Sequence, residues 1–221
     1  MKDNNKIVEE MFAVGAHFGY SKSKRHPSTK DYIFTNKNGL DIINLEKTAK
    51  SMEEAREKLA EYKKAGKKII LVATKNEIKD LVPELASGEN IFYVDSRWIG
   101  GTLTNFSEIR KRVFKLIKLT EEKESGELSK YTKKEQLGID KEIIKLKKYY
   151  GGLVGIKEKP AALVVVDAIE ENIAVQEAKN TNIDVVAICN TDNNITNIDL
   201  PIVANDRSRG AIQYILQTIL K

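Results

Sequence analysis

The amino-acid sequence predicts a three-layer α/β domain in which a parallel sheet is covered by helices on both faces. Short apolar runs with the β-branched composition of buried parallel strands recur along the chain, at residues 68–73, 91–94, 162–167 and 185–189, with a weaker run at 201–204. Residues 173–179 have a helical pattern between two of these runs, and residues 209–220 close the chain as a further helix. Alternating strands and helices are typical of a parallel sheet with right-handed crossovers.

An antiparallel element is expected before the first parallel strand. Residues 31–45 hold two β-like runs around Asn38 and Gly39, a dipeptide typical of tight hairpin turns. A long helix should follow over residues 45–65, because Gly66 is the residue type that commonly ends a helix. The sequence therefore predicts an N-terminal β-hairpin and then a helix that packs on the sheet.

Residues 105–150 do not belong to a minimal α/β fold. Asn105 and Glu108 have the spacing of a helix-capping box, and Thr132 and Glu135 repeat that spacing. Each box precedes apolar residues three and four apart, as in a coiled-coil seam: Phe106, Ile109, Val113 and Leu116, then Ile139, Ile143, Leu146 and Tyr150. Gly151 and Gly152 stop the second run.

We predict that this insertion forms two antiparallel helices of roughly 18 residues, each roughly 27 Å long. Each helix has one apolar stripe, so the two helices can cover each other but bury little against the sheet, and the hairpin should project. The predicted organisation is an α/β globular domain of residues 1–104 and 151–221, with a coiled-coil helical hairpin inserted at residues 105–150.

Size and composition exclude several classes of protein. A chain of 221 residues, 41% of them hydrophobic, can form a globular core. It has neither an apolar run of the roughly 20 residues that span a bilayer nor an N-terminal signal peptide, so we expect it to stay in the cytoplasm. Its single cysteine, Cys189, lies in an apolar run and should be a buried thiol.

The stretch DSRWIGGTLTNF, Asp95 to Phe106, raises the question of a nucleotide enzyme. It follows a strand and opens a helix, so amides near residues 102–105 could hold one phosphate. It matches neither the dinucleotide pattern G-x-G-x-x-G nor the phosphate loop G-x-x-x-x-G-K-[ST]. We favour the interpretation that its glycines allow a sharp turn while Thr102 and Thr104 satisfy loop amides. A nucleotide-using α/β enzyme is the alternative.

Two other residues invite a catalytic or metal-binding hypothesis. Asp167 ends a strand, like the phospho-acceptor aspartate of receiver domains, but the other strand ends lack the acidic pair and the lysine that those domains require, so we expect a loop cap. His17 could join Asp192 or Asp206 around a divalent ion; we expect instead a hydrogen-bonded histidine beside the core. No catalytic residue, metal ligand or cofactor is predicted.

The charge distribution favours a polyanionic partner. Residues 106–150 contain 13 Lys or Arg and 8 Asp or Glu, a surplus that equals the net charge of +5 of the whole chain. The basic residues lie toward the base of the predicted hairpin, whereas its tip gathers acids: Glu121, Glu122, Glu124 and Glu127. This pattern indicates phosphate neutralisation and recognition of folded RNA by shape.

The predicted RNA contacts lie in three places: the basic loop at residues 21–25, the root of the hairpin and its first helix. They are Lys22, Lys24, Arg25, Arg97, Arg110, Lys111, Arg112, Lys115 and Lys118. The second helix also carries Lys141, Lys145, Lys147 and Lys148, and Trp98 is expected in the core. A protein-docking module that uses the coiled coil as its contact surface is a further alternative.

The order of several motifs resembles the bacterial small-subunit ribosomal proteins of the S-two family. These motifs are GAHFGY at 15–20, HPSTKDYIF at 26–34, NGLDIINL at 38–45, RWIGGTLTNF at 97–106, the glycine pair at 151–152, ALVVVDAIEENIAVQEA at 162–178 and PIVANDRSRGAI at 201–212. The similarity runs from about residue 7 to residue 220. Tyr20 and the stretches KRHPST, NTDNN and AND depart from the usual pattern of the family.

The resemblance implies a non-catalytic, flavodoxin-like (Rossmann-like) α/β sandwich with an inserted helical hairpin of bacterial type. Proteins of this family bind small-subunit ribosomal RNA at the junction of head and body, on the solvent side near the mRNA exit, and support translation. The implied partners are this RNA, neighbouring small-subunit ribosomal proteins and, where it exists, the large mRNA-binding ribosomal protein S-one. Arg97 and the basic helix after it would face the RNA.

Overall fold

The structure, a computed structural model, describes residues 2–221, with side chains from Lys6 onward. In this part of the chain the strands are β1 (Phe18–Ser21), β2 (Ile33–Lys37), β3 (Leu40–Ile43), β4 (Ile69–Val72), β5 (Ile91–Val94), β6 (Ala162–Val166), β7 (Asp184–Cys189) and β8 (Leu200–Val203). The α-helices are α1 (Lys2–Ala13), α2 (Leu45–Lys64), α3 (Val82–Leu85), α4 (Phe106–Glu124), α5 (Lys133–Tyr150), α6 (Asn172–Asn180) and α7 (Arg209–Ile219).

The predicted parallel sheet is confirmed. Its strands lie in the order β5-β4-β6-β7-β8, and all four neighbouring pairs are parallel. Each predicted run is a strand whose bounds fall within one residue of the prediction. The three central strands, β4, β6 and β7, are buried on both faces, which is why they appear in the sequence as continuous apolar runs instead of alternating ones.

Two apolar cores lie on opposite faces of this sheet and give the predicted three layers. Ile69 and Leu71 of β4 belong to the core that contains residues of α2 and α7, with Met52 and Ile212 among them. The alternate residues of β4 belong to the other core, which contains residues of α6 and of the first turns of α4. The three-layer flavodoxin-like class is therefore confirmed.

The N-terminal β-hairpin is also confirmed, and it has an additional strand. Asn38 and Gly39 adopt positive φ angles of 52° and 80° in the turn between β2 and β3, the conformation that favours this dipeptide. β1 pairs with the other side of β3 to complete a three-stranded antiparallel sheet. The sequence analysis did not predict β1 or α1, because β1 reads FGYS, a short run interrupted by glycine, and the residues of α1 are mostly polar.

The insertion forms two helices that pack against each other. Leu116 of α4 meets Ile143 and Leu146 of α5 in a small apolar cluster of their own, beyond the two cores of the body. Only the root is buried with the body, where Ile109 and Val113 join the second core. The apolar seam between α4 and α5 therefore includes residues that belong to neither core of the body.

The ends of these helices test the predicted capping boxes. The one at the second helix is confirmed: the Glu135 carboxylate accepts hydrogen bonds from the Thr132 amide and hydroxyl, at 2.9 and 2.8 Å. The one at the first helix is wrong, because Asn105 makes no side-chain capping bond and Glu108 pairs instead with Lys111 at 2.6 Å. What holds the start of α4 is a more distant residue, described below.

The glycine pair that ends α5 allows the chain to return close to the sheet. A Cβ at position 152 would overlap the backbone oxygen and the ring of Tyr93 in β5. Gly152 is therefore required where the arm rejoins the body.

Candidate nucleic-acid interface

The loop between β5 and α4 surrounds a buried carboxylate. Glu177 of α6 is 7% exposed, and it accepts hydrogen bonds from the backbone amides of Gly101, Leu103 and Thr104 at 2.6, 2.9 and 3.2 Å. The indole Nε1 of Trp98 donates to the same carboxylate at 3.3 Å. The amides that could have held a phosphate are thus already occupied by an anion of the protein itself.

These hydrogen bonds keep Glu177 ionised. Burial acts to raise the pKa of its carboxyl group, but donation from the loop amides and the Trp98 indole outweighs burial and lowers the pKa. The expectation that the loop serves a sharp turn is supported by Gly101, whose φ is 94°. The expectation that Thr102 and Thr104 satisfy loop amides is wrong, because both hydroxyls act as donors: Thr104 donates to Glu177 at 3.3 Å and Thr102 to the Ile99 carbonyl at 2.6 Å.

Glu177 was missed by the sequence analysis. A usable signal was present, because Glu177 lies between apolar positions of α6 that are buried, Ala174 and Ala178. A carboxylate on the buried face of a helix needs hydrogen-bond donors, and the loop that follows β5 is rich in amides free of strand pairing. The predicted burial of Trp98 is confirmed at 5% exposure.

The carboxyl edge of the parallel sheet holds a second internal ion cluster. Lys75 follows β4, and its Nζ lies 2.8 Å from Asp167 and 2.6 Å from Asp206, which follow β6 and β8. Burial acts to lower the pKa of Lys75, but the two carboxylates outweigh it and raise the pKa. In flavodoxin-like sheets the ligand crevice opens between the first and third strands, here β4 and β6, so Lys75 and Asp167 fill it.

Asp167 also caps its own loop, as predicted. Its Oδ1 accepts hydrogen bonds from the amides of Ile169 and Glu170 at 3.0 and 3.4 Å. Asp167 itself has a φ of 68°, a conformation that short polar residues tolerate.

The hairpin contains both paired and unpaired cations. Three of the predicted RNA contacts on α4 form ion pairs: Lys111 with Glu108, Lys115 with Glu142 of the facing helix, and Lys118 with Glu122. Within the described part of the chain, the other basic residues in the half of the hairpin nearer the body have no carboxylate partner: Arg110, Arg112, Lys141, Lys145, Lys147 and Lys148. The arm therefore keeps a strongly basic root, with more of its free charge on α5 than the sequence analysis assigned.

In the predicted basic loop, one of the three cations forms an ion pair within the protein and the other two are exposed. Arg25 forms a two-pronged ion pair with Asp41, a fully buried residue of β3, and one of its two bonds measures 2.6 Å. Hydrogen bonding to Arg25 is the largest influence on the Asp41 carboxyl and lowers its pKa. Lys22 and Lys24 are exposed, and the Lys24 ammonium lies 5.6 Å from the centre of the Tyr20 ring.

Two further arginines, Arg97 and Arg207, also have no carboxylate partner among the described residues. Arg97 is exposed next to buried Trp98 at the start of the hairpin loop. Arg207, which the sequence analysis did not select, lies 4.5 Å from the centre of the Tyr20 ring and donates to the Tyr20 hydroxyl at 2.6 Å. None of the nine predicted contacts is tested directly by the geometry, and their role in RNA binding stays a prediction.

Comparison with known proteins identifies the family. Residues 11–221 match the family described as ribosomal protein S2. The chain belongs to the ribosomal protein S2 family. It is 41% identical over 216 residues to the small ribosomal subunit protein uS2 of Flavobacterium johnsoniae, which covers 97% of this chain and 85% of the relative. The identity to uS2 of Karelsulcia muelleri is also 41%, over 95% of this chain and 94% of the relative.

The remaining hypothesis in this S2-family chain concerned His17. The prediction of a hydrogen-bonded histidine is wrong, because its Nδ1 is buried and has no hydrogen-bond partner among the described residues. The ring instead stacks on Phe12, with centroids 4.2 Å apart, and packs against Phe18. Burial lowers the pKa of His17, which keeps the ring neutral.

The metal alternative for His17 gains no support. Asp206 is committed to Lys75 and also accepts a hydrogen bond from Asn190 at 2.7 Å. Between residues 2 and 221, no three His, Cys, Asp or Glu side chains come together as a metal site.

Over the same residues, no helix combines the length and the apolar character needed to cross a bilayer.

Proposed function

We propose that this S2-family chain is a structural constituent of the small ribosomal subunit that binds small-subunit rRNA through the root of its helical hairpin. The observation that carries the proposal is the set of six unpaired cations at that root, on an arm whose starting loop is fixed by Glu177. When unpaired Lys and Arg neutralise phosphates, the counterions condensed on the nucleic acid are released, which favours binding. We propose no catalytic activity.

The location on the ribosome follows from the resemblance to the family. We place the protein at the junction of head and body, on the solvent side of the small subunit near the mRNA exit, in the cytoplasm. Neighbouring small-subunit ribosomal proteins are its proposed partners, together with S-one where that protein exists. Exposed apolar residues on the body support a protein contact, since Phe12 and Phe34 are 61% and 72% exposed.

The test is RNA binding by a variant that lacks the six free cations of the root. Replacing Arg110, Arg112, Lys141, Lys145, Lys147 and Lys148 by Gln should weaken binding to a transcript of bacterial small-subunit rRNA on the order of a hundredfold. The dependence of log K on log salt should also become shallower, because fewer phosphates are neutralised. An unchanged affinity with an unchanged salt slope would contradict the proposal.

A second candidate function is protein docking by the hairpin itself. Two apolar residues of the arm favour it, since Phe114 and Ile144 are 67% and 68% exposed. Replacing both by Ser separates the candidates: loss of assembly into small subunits with full RNA affinity would indicate docking. The RNA proposal expects instead that incorporation into small subunits follows RNA affinity across both variants.

A further inference from the structure

A cleft at the root of the hairpin is lined by side chains from both of its helices. Arg112 of α4 faces it from one side, and Lys145 and Tyr149 of α5 from the other. Ile99, in the loop that precedes α4, also contributes to its wall. The cleft therefore joins the two helices at the level where the arm leaves the body.

The electrostatics of this cleft are those of an anion site. Glu142 is the one carboxylate of its lining, and Lys115 neutralises it in an ion pair across the two helices. Within the described residues, neither the Arg112 guanidinium nor the Lys145 ammonium has a hydrogen bond or a carboxylate partner. Two positive charges thus converge on one space with no internal counterion.

The chemistry of the lining matches a phosphodiester. A guanidinium can bind two oxygens of one phosphate through its fork of N–H donors, and an ammonium adds a compact positive charge. The Tyr149 hydroxyl has no partner among the described residues and can donate to a third oxygen. Arg112 and Lys145 are both exposed, so RNA can reach their charges, and Ile99 forms an apolar wall beside them.

We propose that this cleft binds one backbone phosphate of small-subunit rRNA and so bridges α4 and α5. The inference rests on the proposed function, which it makes specific: Arg112, Lys145 and Tyr149 act together, while the other free cations of the root attract RNA without forming a site. A phosphate held in this way also fixes the two helices relative to each other once RNA is bound.

The test uses the full chain and filter binding to a transcript of bacterial small-subunit rRNA over a series of KCl concentrations. The double variant Arg112→Gln with Lys145→Gln should bind roughly tenfold more weakly, and its salt slope should fall by about 1. Tyr149→Phe should weaken binding about threefold with an unchanged slope, because it removes a neutral donor.

Two matched controls remove the same number of charges elsewhere on the hairpin. Arg110→Gln with Lys147→Gln removes free cations of the root that do not line the cleft, and should weaken binding about threefold. Lys133→Gln with Lys134→Gln removes charges near the tip, and should weaken it by less than about twofold.

The outcomes separate the cleft from the wider proposal. Equal losses in the cleft variant and the root control, with intact binding by the unmodified protein, would overturn the cleft and leave RNA binding by the hairpin standing. Full affinity in the cleft variant would overturn it as well, and would favour an acidic protein segment as the partner of these cations. Failure of the unmodified protein to bind the transcript would overturn the proposed function.

Discussion

Replacing Glu177 by Gln should loosen the loop from which the helical hairpin starts. In the native protein both carboxylate oxygens accept hydrogen bonds, Oε1 from Gly101 and Trp98, and Oε2 from Leu103 and Thr104. A Gln side chain keeps one acceptor but turns an NH₂ group toward two of these donors. One pair of N–H groups then loses its acceptor inside the protein.

The expected destabilisation can be worked out from these contacts. Hydrogen bonds to a charged group contribute about 1.5–3 kcal/mol each, and a buried donor left without a partner costs about 1–3 kcal/mol. Because Leu103 is fully buried while Thr104 is exposed and can be hydrated, one such donor dominates. We therefore expect Glu177→Gln to lower the free energy of unfolding by about 3 kcal/mol, and Glu177→Ala by about 4 kcal/mol.

Urea denaturation followed by far-ultraviolet circular dichroism and by Trp98 fluorescence measures this loss. The m-value should stay constant, since the variant folds to the same compact state. The matched control is Glu170→Gln, which changes an exposed carboxylate near the start of the same helix and should cost less than about 0.5 kcal/mol. A loss below about 0.5 kcal/mol in Glu177→Gln would refute the idea that this carboxylate holds the loop.

Two other substitutions test the body of the protein. Gly152→Ala should destabilise the fold by about 2–4 kcal/mol, because the added methyl group would overlap the backbone of Tyr93. The control Gly138→Ala adds its methyl group in open space on α5 and should stabilise the fold by about 0.5 kcal/mol. Thermal denaturation of both variants measures the two effects. Asp41→Asn should lower the free energy of unfolding at neutral pH. The difference from the native protein should shrink as the pH falls below about 4, the pKa of an Asp carboxyl in the unfolded chain, toward the lowered pKa of Asp41 in the folded state. The difference is present above that pH range because the ionised Asp41 stabilises the fold through its ion pair with Arg25. Urea titrations at pH 7, 5, 4 and 3 measure it, and a difference that grows on acidification would contradict this reasoning.

Elements defined by local pattern were predictable from the sequence. The five parallel strands are apolar on both faces, so each appears in the sequence as a run of consecutive apolar residues, as in β6. The helical hairpin was likewise predictable, because its seam repeats every three or four residues between turn signals. Asn38 and Gly39 specified the β-hairpin through their backbone conformation alone.

Two of the misses have a common physical cause, which is a partner distant in sequence. Asn105 looked like the cap of α4, yet the donors of that loop are satisfied by Glu177, more than 70 residues away. Arg25 looked free for RNA until the fold brought Asp41 beside it. His17 is a different case: it was expected to find a hydrogen-bond partner, but Phe12 and Phe18, close to it in the sequence, pack their rings around it.

The candidate interface was predictable as a region more than as a set of residues. Charge counting located the excess of positive charge in the hairpin, but it did not distinguish Lys115, which faces Glu142, from Lys145, which has no such partner. That distinction depends on how the two helices rotate against each other, and neither helix encodes it alone. For this reason the second helix contributes more free charge than the sequence suggested.

The internal carboxylate at the root of the arm has a consequence for association. Since Glu177 already accepts the hydrogen bonds of the loop amides in the free protein, the start of the arm is fixed during folding and does not depend on capturing an ion from solution. In the proposed binding to RNA, an arm oriented in advance loses less conformational freedom when it docks, so a larger share of the attraction appears as affinity. In the assembly of the small subunit, the arm would then be a rigid element whose orientation is already set.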